Sequence, residues 1–210
     1  MLGSRGTKSW WPRACVMACA GAVAIGSAVG CGSSAGPPPA AWVVATILDS
    51  DTGTCMEGNN MVWFSLEGTG GSDSSPASIM NGQQYEGSAA TISCSVTPSG
   101  SGFSVNGAVT LPGGNFHISG TMDPSNTTQT GISTSFTSST AEFASTDCTF
   151  AYTSFLQGFP ACQPSQPMNN CPVKAGAVWG TLTCPKLTSS AHMNDSCAGT
   201  VQVQLTNCTQ

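Results

Sequence analysis

The chain has 210 residues, five of them basic and ten acidic, for a formal net charge of −5 at pH 7 with neutral histidines. Charged residues supply only 7% of it, whereas cysteine occurs 11 times and glycine 25 times. A nucleic-acid binder needs a basic footprint to neutralise phosphates, so this balance excludes DNA and RNA as partners and excludes charge-driven binding to anionic headgroups.

Taken in chain order, the first feature is an export leader. Arg5, Lys8 and Arg13 precede a 17-residue apolar run from Ala14 to Gly30, with no acidic residue before Cys31. A positive start, an apolar centre and a small-residue end are the parts of a secretory signal. The run is short and rich in Ala and Gly, below the roughly 20 apolar residues of a spanning helix. Its end, Ala28-Val29-Gly30-Cys31, resembles the lipobox of bacterial lipoproteins, with Ala28 where that family usually has leucine. The resemblance implies that residues 1–30 are removed as a signal peptide and that Cys31 becomes a lipidated N-terminus carrying palmitate-like acyl chains. It also implies a membrane partner reached through that anchor. Gly32 stands where an aspartate marks inner-membrane retention, which favours the outer membrane or cell surface. An uncleaved signal-anchor and an ordinary signal cut nearby are the alternatives.

Beyond the leader, residues 31–40 form a Pro- and Ser-containing flexible tether, and residues 41–210 read as a single β domain. Two basic residues, Lys174 and Lys186, face all ten acidic ones there, a charge of −8. Scarce Lys, Glu and Arg removes good helix formers, and alternating Val, Thr, Ile and Phe favours strands. Trp42–Leu48 is the first predicted strand, ended by the turn Asp49-Ser50-Asp51-Thr52-Gly53. Met61–Leu66 is the second. Tyr85–Val96 carries the third, with Ile92, Cys94 and Val96 on one face. Phe103, Val105, Val109 and Leu111 share a face in GFSVNGAVTL, the turn Pro112-Gly113-Gly114 follows, and Phe116, Ile118 and Met122 continue the period-two pattern. That is a β-hairpin, and Gly107 and Gly120 within it mark places where a bulky neighbour needs room. Ile132–Phe136, Phe143–Tyr152, Ala177–Cys184 and Thr200–Leu205 are the remaining strands, the last two a pair. The expected fold is an all-β antiparallel sandwich of eight or nine strands stapled by disulfides, with an open barrel as the alternative.

Cys15 and Cys19 fall in the leader, and Cys31 is the lipid carrier. An even eight remain, Cys55, Cys94, Cys148, Cys162, Cys171, Cys184, Cys197 and Cys208, and in an exported domain they read as a disulfide framework. Cys197 and Cys208 flank a strand and so stand about 36 Å apart at 3.3 Å per residue, too far to pair. Cys162 and Cys171 bracket the Pro- and Asn-rich loop QPSQPMNN and are expected to close it. Cys184–Cys197 would close the loop between the last two strands, and the simplest remainder is Cys55–Cys94 and Cys148–Cys208. No CxxC pair is present, so a zinc site and any other cofactor are not expected.

Chemistry-bearing residues are few. His117 lies between Phe116 and Ile118 and should face outward, and His192 sits in a loop near Asn194 and Asp195, a weak metal arrangement at most. No GxSxG elbow supports a serine triad, so no catalytic residue is assigned. Asp49-Ser-Asp51 departs from the calcium-loop pattern and reads as a turn. Trp63 and Trp179 read as core residues and Trp42, beside the tether, as the exposed aromatic. The FSVNG–turn–NFHISG hairpin, the late strand ending in CP and the last strand ending in NC are similar to small secreted lipoproteins of unknown function, and more distantly to the mycobacterial 19-kDa lipoprotein antigen. The expected function is that of an envelope-anchored, non-enzymatic binding or structural module with a protein or glycan partner. A carbohydrate-binding or adhesion module and an extracytoplasmic hydrolase are the alternatives.

Overall fold

The computed structural model describes residues 36–48, 55, 61–69, 77–138, 141–152, 173–191 and 196–210. Among these no helix forms, and thirteen strands do: β1 (Ala40–Leu48), β2 (Met61–Leu66), β3 (Ile79–Met80), β4 (Gln84–Tyr85), β5 (Ser88–Ala89), β6 (Thr91–Ser99), β7 (Gly102–Leu111), β8 (Gly114–Met122), β9 (Thr128–Thr137), β10 (Glu142–Ala151), β11 (Val173–Lys174), β12 (Ala177–Ser189) and β13 (Ser196–Thr206). Nine of them make one antiparallel path, β2-β1-β13-β12-β10-β9-β8-β7-β6, to which β3 and β11 add short pairings. β4 and β5 form a separate two-residue hairpin.

Period-two patterning decides which face is buried. The residues expected to share a face in the central hairpin are direct cross-strand partners: Phe103 with Met122, Val109 with Phe116, and each glycine opposite a large residue, Gly107 with Ile118 and Gly120 with Val105. In β13, Val201, Val203 and Leu205 are fully buried while Gln202 and Gln204 alternate with them on the other face. The sheet then curls so that this apolar face meets itself. Phe64 on β2 stacks on Phe116 of β8 at 6.1 Å, and Trp63 packs edge-on to Phe143 of β10 at 5.0 Å. Leu205 of β13 reaches the space that a side chain at Gly107 of β7 would fill. Both expected architectures meet here: two facing layers as in a sandwich, joined through β10–β12 pairing as in an open barrel.

The curl is tied at its far edge. Beyond β13, Thr209 bridges in parallel to Ser95 of β6, with Val96 N–H donating to Thr209 O at 2.9 Å and Thr209 N–H to Cys94 O at 3.0 Å. These bonds occupy the edge that β6 would otherwise leave open. A disulfide sits on the same closure.

The disulfides correct the expected pairings. The bonds are Cys55–Cys197, Cys94–Cys208 and Cys148–Cys184, with Cα separations of 4.8, 4.8 and 4.3 Å. The Cys184–Cys197 pairing fails because β12 does not end at Cys184; it continues to Ser189, which sets Leu187 opposite Cys197. Cys184 instead faces Cys148 on the neighbouring β10, next to the Thr149–Thr183 pair. Cys55–Cys94 and Cys148–Cys208 fail because the curl, which strand order alone does not give, brings the end of β13 to β6. Cys197 and Cys208 are indeed not bonded to each other. Cys31, Cys162 and Cys171 lie outside the described residues. Three disulfides define a protein of an oxidising, extracytoplasmic environment.

Where the tether was expected, Ala40 already belongs to β1, and the residues before it are held: Asn207 Nδ2 donates to Pro38 O at 3.1 Å and Asn81 N–H to Pro39 O at 2.8 Å.

One polar knot closes the other end. The Asp123 carboxylate accepts both the Ser125 hydroxyl (2.7 Å) and the Ser125 N–H (2.9 Å), which hold it below its ordinary pKa. Tyr152 O–H donates to the Asp123 carbonyl at 3.2 Å. Burial, and secondarily the Asp123 charge, raise the Tyr152 phenol above its ordinary 10.0. A raised folded value leaves stability whole below the unfolded pKa and erodes it as pH climbs past 10.0, because the unfolded chain then releases a proton that the folded one keeps. Tyr152→Phe is expected to flatten that alkaline decline in urea unfolding series. A slope equal to that of the parent protein would refute the assignment.

Candidate functional site

A cleft of about 200 Å³ opens where edge strand β2 of one layer meets the β7–β8 turn of the other. Its walls are Trp63, Phe64 and Ser65 from β2, Tyr85 and Glu86 from the small hairpin, and Leu111 to Gly114 from the turn. Each wall is positioned by local chemistry. Trp63 is held by its edge contact with Phe143, and its indole nitrogen is buried with no hydrogen-bond partner among the described residues. Phe64 faces inward onto Phe116. In the turn, Leu111 pairs with Gly114 across Pro112 and Gly113. A side chain at Gly114 would strike the Thr137 carbonyl, so only glycine fits. At Gly113 an added Cβ meets nothing within 4 Å.

The third wall is an arm carried on β4 and β5. Gly82 N–H donates to Ala90 O at 2.8 Å and Ala90 N–H to Gln83 O at 2.9 Å, closing its base. At its tip, Glu86 and Gly87 have φ of 49° and 85°, the two left-handed residues of a tight hairpin turn. Asn or Asp normally takes the first of these positions, and a glutamate there is uncommon. Tyr85 lies half-buried against the core while Glu86 is exposed at the rim.

Elsewhere, two shallower grooves run along β10 and β12, one past Glu142, Ala144 and Ser190, the other past Ser145, Asp147 and Lys186. The second lies over the stretch where register shifts follow Ser145 in β10 and Cys184 in β12.

The residues singled out from sequence fall as follows. His117 sits on the outer face of β8, opposite Ala108 and Ser135, as its neighbours implied. His192, Asn194, Asp195, Asp49 and Asp51 lie outside the described residues. Trp179 is buried as expected, and Trp63 packs against the core while also walling the cleft. Trp42 is a correction: it is only 8% exposed, because β1 is not an edge but lies between β2 and β13. Among the described residues no cluster of three metal-ligating side chains forms. Sequence reasoning took Tyr85–Val96 as one strand and so missed the arm. The signal present was Glu86-Gly87, a turn pair that interrupts that run.

Compared with protein-family models, curated proteins and solved structures, the chain matches none. The class is therefore defined by the fold and site alone: an all-β, disulfide-stapled extracytoplasmic domain with an aromatic cleft at the mouth of its curled sheet.

Proposed function

We propose that the chain is an envelope-anchored lipoprotein whose β domain is a non-enzymatic binding module. The observation that carries the binding role is the cleft. Its described lining offers two aromatic side chains at the surface, exposed turn backbone, the Ser65 hydroxyl and a single carboxylate, with no hydrogen bond joining Ser65 to Glu86 and neither histidine among the described lining residues. Recognition chemistry fits such a lining better than bond cleavage, which needs paired acid and base groups. The anchoring half rests on the Ala28–Cys31 lipobox and its basic, apolar leader. Two or more acyl chains on Cys31 would give stable attachment, each buried CH₂ contributing about 0.8 kcal/mol. The protein would then sit at the cell surface or outer membrane with the domain held at the end of a short leash.

Mass spectrometry of the protein extracted from membranes tests the anchor. The expected mass begins at Cys31 and carries diacylglyceryl and acyl additions. An intact chain starting at Met1, or an unmodified Cys31, refutes it.

A further inference from the structure

Resting on the reading of the domain as a binding module, we propose that the cleft takes one neutral pyranose ring of a glycan. The ring packs against Trp63 and Tyr85 with its hydroxyls directed to Glu86 and the Pro112–Gly114 backbone. Four observations converge on this ligand class. The first is the kind of surface: a sugar presents an apolar C–H face to an aromatic ring and hydroxyls at its rim, and the cleft pairs two aromatic walls with polar groups at its edge. Trp63 is fixed by its packing on Phe143 and Tyr85 by its place against the core, so little side-chain freedom is lost on binding.

Charge is the second. Glu86 is the only charged residue of the lining among the described residues, and the domain's two lysines lie elsewhere, Lys174 over the Trp179 ring at 5.8 Å and Lys186 beside the β10–β12 groove. A phosphate, sulfate or uronate would meet a carboxylate with no cation to offset it. A neutral sugar hydroxyl donates to that carboxylate without such repulsion. Size is the third: about 200 Å³ lies below the range of drug-sized sites and suits a single ring, with the open side free for the rest of the glycan.

The fourth is the backbone at Glu86. A glutamate in the left-handed region is an uncommon and costly choice where Asn or Asp would serve the turn better. The strained residue is the one that carries the cleft's charge. Its longer side chain projects a carboxylate from a rigid two-residue tip, which a shorter residue at that position would hold further back.

The test uses the full-length protein extracted from membranes in detergent, its mass measured first and its binding then read on a glycan array and by calorimetry. Array ligands are neutral oligosaccharides of gluco, manno, galacto, xylo and N-acetylglucosamino type, with oligogalacturonate as the anionic comparison. At least one neutral class is expected to bind, and oligogalacturonate is not. Tyr85→Ala, Glu86→Gln and Gly113→Trp should each weaken that binding at least tenfold. Trp63→Ala would also disturb packing on Phe143, so these three exposed or half-buried sites carry the test, with thermal midpoints as the check of folding. Absence of neutral-glycan binding, preference for the galacturonate, or binding that all three folded variants retain overturns the proposal. A Met1-initiated mass with intact glycan binding overturns the anchor and leaves the cleft assignment standing, so the two readings fail separately.

Discussion

Reduction of the three disulfides found among the described residues is expected to unfold the β domain at 37 °C. Removing one native disulfide from an exported domain usually costs about 2–5 kcal/mol, and domain stabilities are about 5–15 kcal/mol in total. Three bonds therefore amount to most of the margin. They are not equivalent. Cys94–Cys208 spans 114 residues and Cys148–Cys184 only 36; the chain-entropy estimate gives about 4.8 and 3.8 kcal/mol for the two. The position of each bond widens the gap. Cys148 and Cys184 sit on strands already paired to each other, at Phe150–Leu182 and Ala144–Thr188 among other places. Cys94–Cys208 joins β6, at one end of the sheet, to the segment just beyond β13, where only a few backbone bonds around Thr209 share the work. The Cys94→Ala/Cys208→Ala variant should therefore melt about 10–20 °C below the parent, and lower than Cys148→Ala/Cys184→Ala. Calorimetry under non-reducing conditions gives the ranking. A fully reduced protein that keeps its near-UV dichroism at 37 °C would falsify the account.

Those bonds also show where sequence stops being informative. Alternation gave the β7–β8 hairpin and its apolar face because these depend on neighbours within twenty residues and one turn, although Gly114, expected in the turn, is paired with Leu111 in β8. It gave the faces of β6 and β13 for the same reason. The pairing of cysteines depends on how distant strands meet, and nothing local to Cys94 announces that the chain will return at Thr209. The expected end of the strand at Cys184 did the rest: a register shift between Cys184 and Leu187 lets β12 pass Pro185 and run to Ser189. The cleft was hidden in the same way. Trp63, Glu86 and Pro112 come from three segments, and only the curl brings them to one mouth. Trp42 was expected to be exposed because it lies beside the tether, whereas β1 is covered on both sides by β2 and β13.

The second large effect follows from how tightly the two layers approach. Gly107 faces inward on β7, beside Cys94 of β6 and Ile118 of β8. A Cβ added there would lie 2.4 Å from Leu205 Cδ1 of the opposing layer and 3.1 Å from Ile118 Cγ2. Both neighbours are fully buried, so neither can swing into solvent. Gly107→Val is expected to destabilise the domain by about 2–3 kcal/mol through overpacking, offset only slightly by the better strand propensity of valine. The cause can be separated from a generic loss of fold. Leu205→Ala alone should cost about 2–5 kcal/mol by leaving a cavity. Combined with Gly107→Val, it removes the atom that the new side chain strikes and supplies methyl groups to the vacated space. The two changes should then be less than additive, with a coupling of about 1 kcal/mol or more. Urea unfolding of the four proteins in that cycle measures it. Strict additivity would mean that the layers separate by themselves to admit the valine, and that the contact between β7 and β13 does not hold the curl shut.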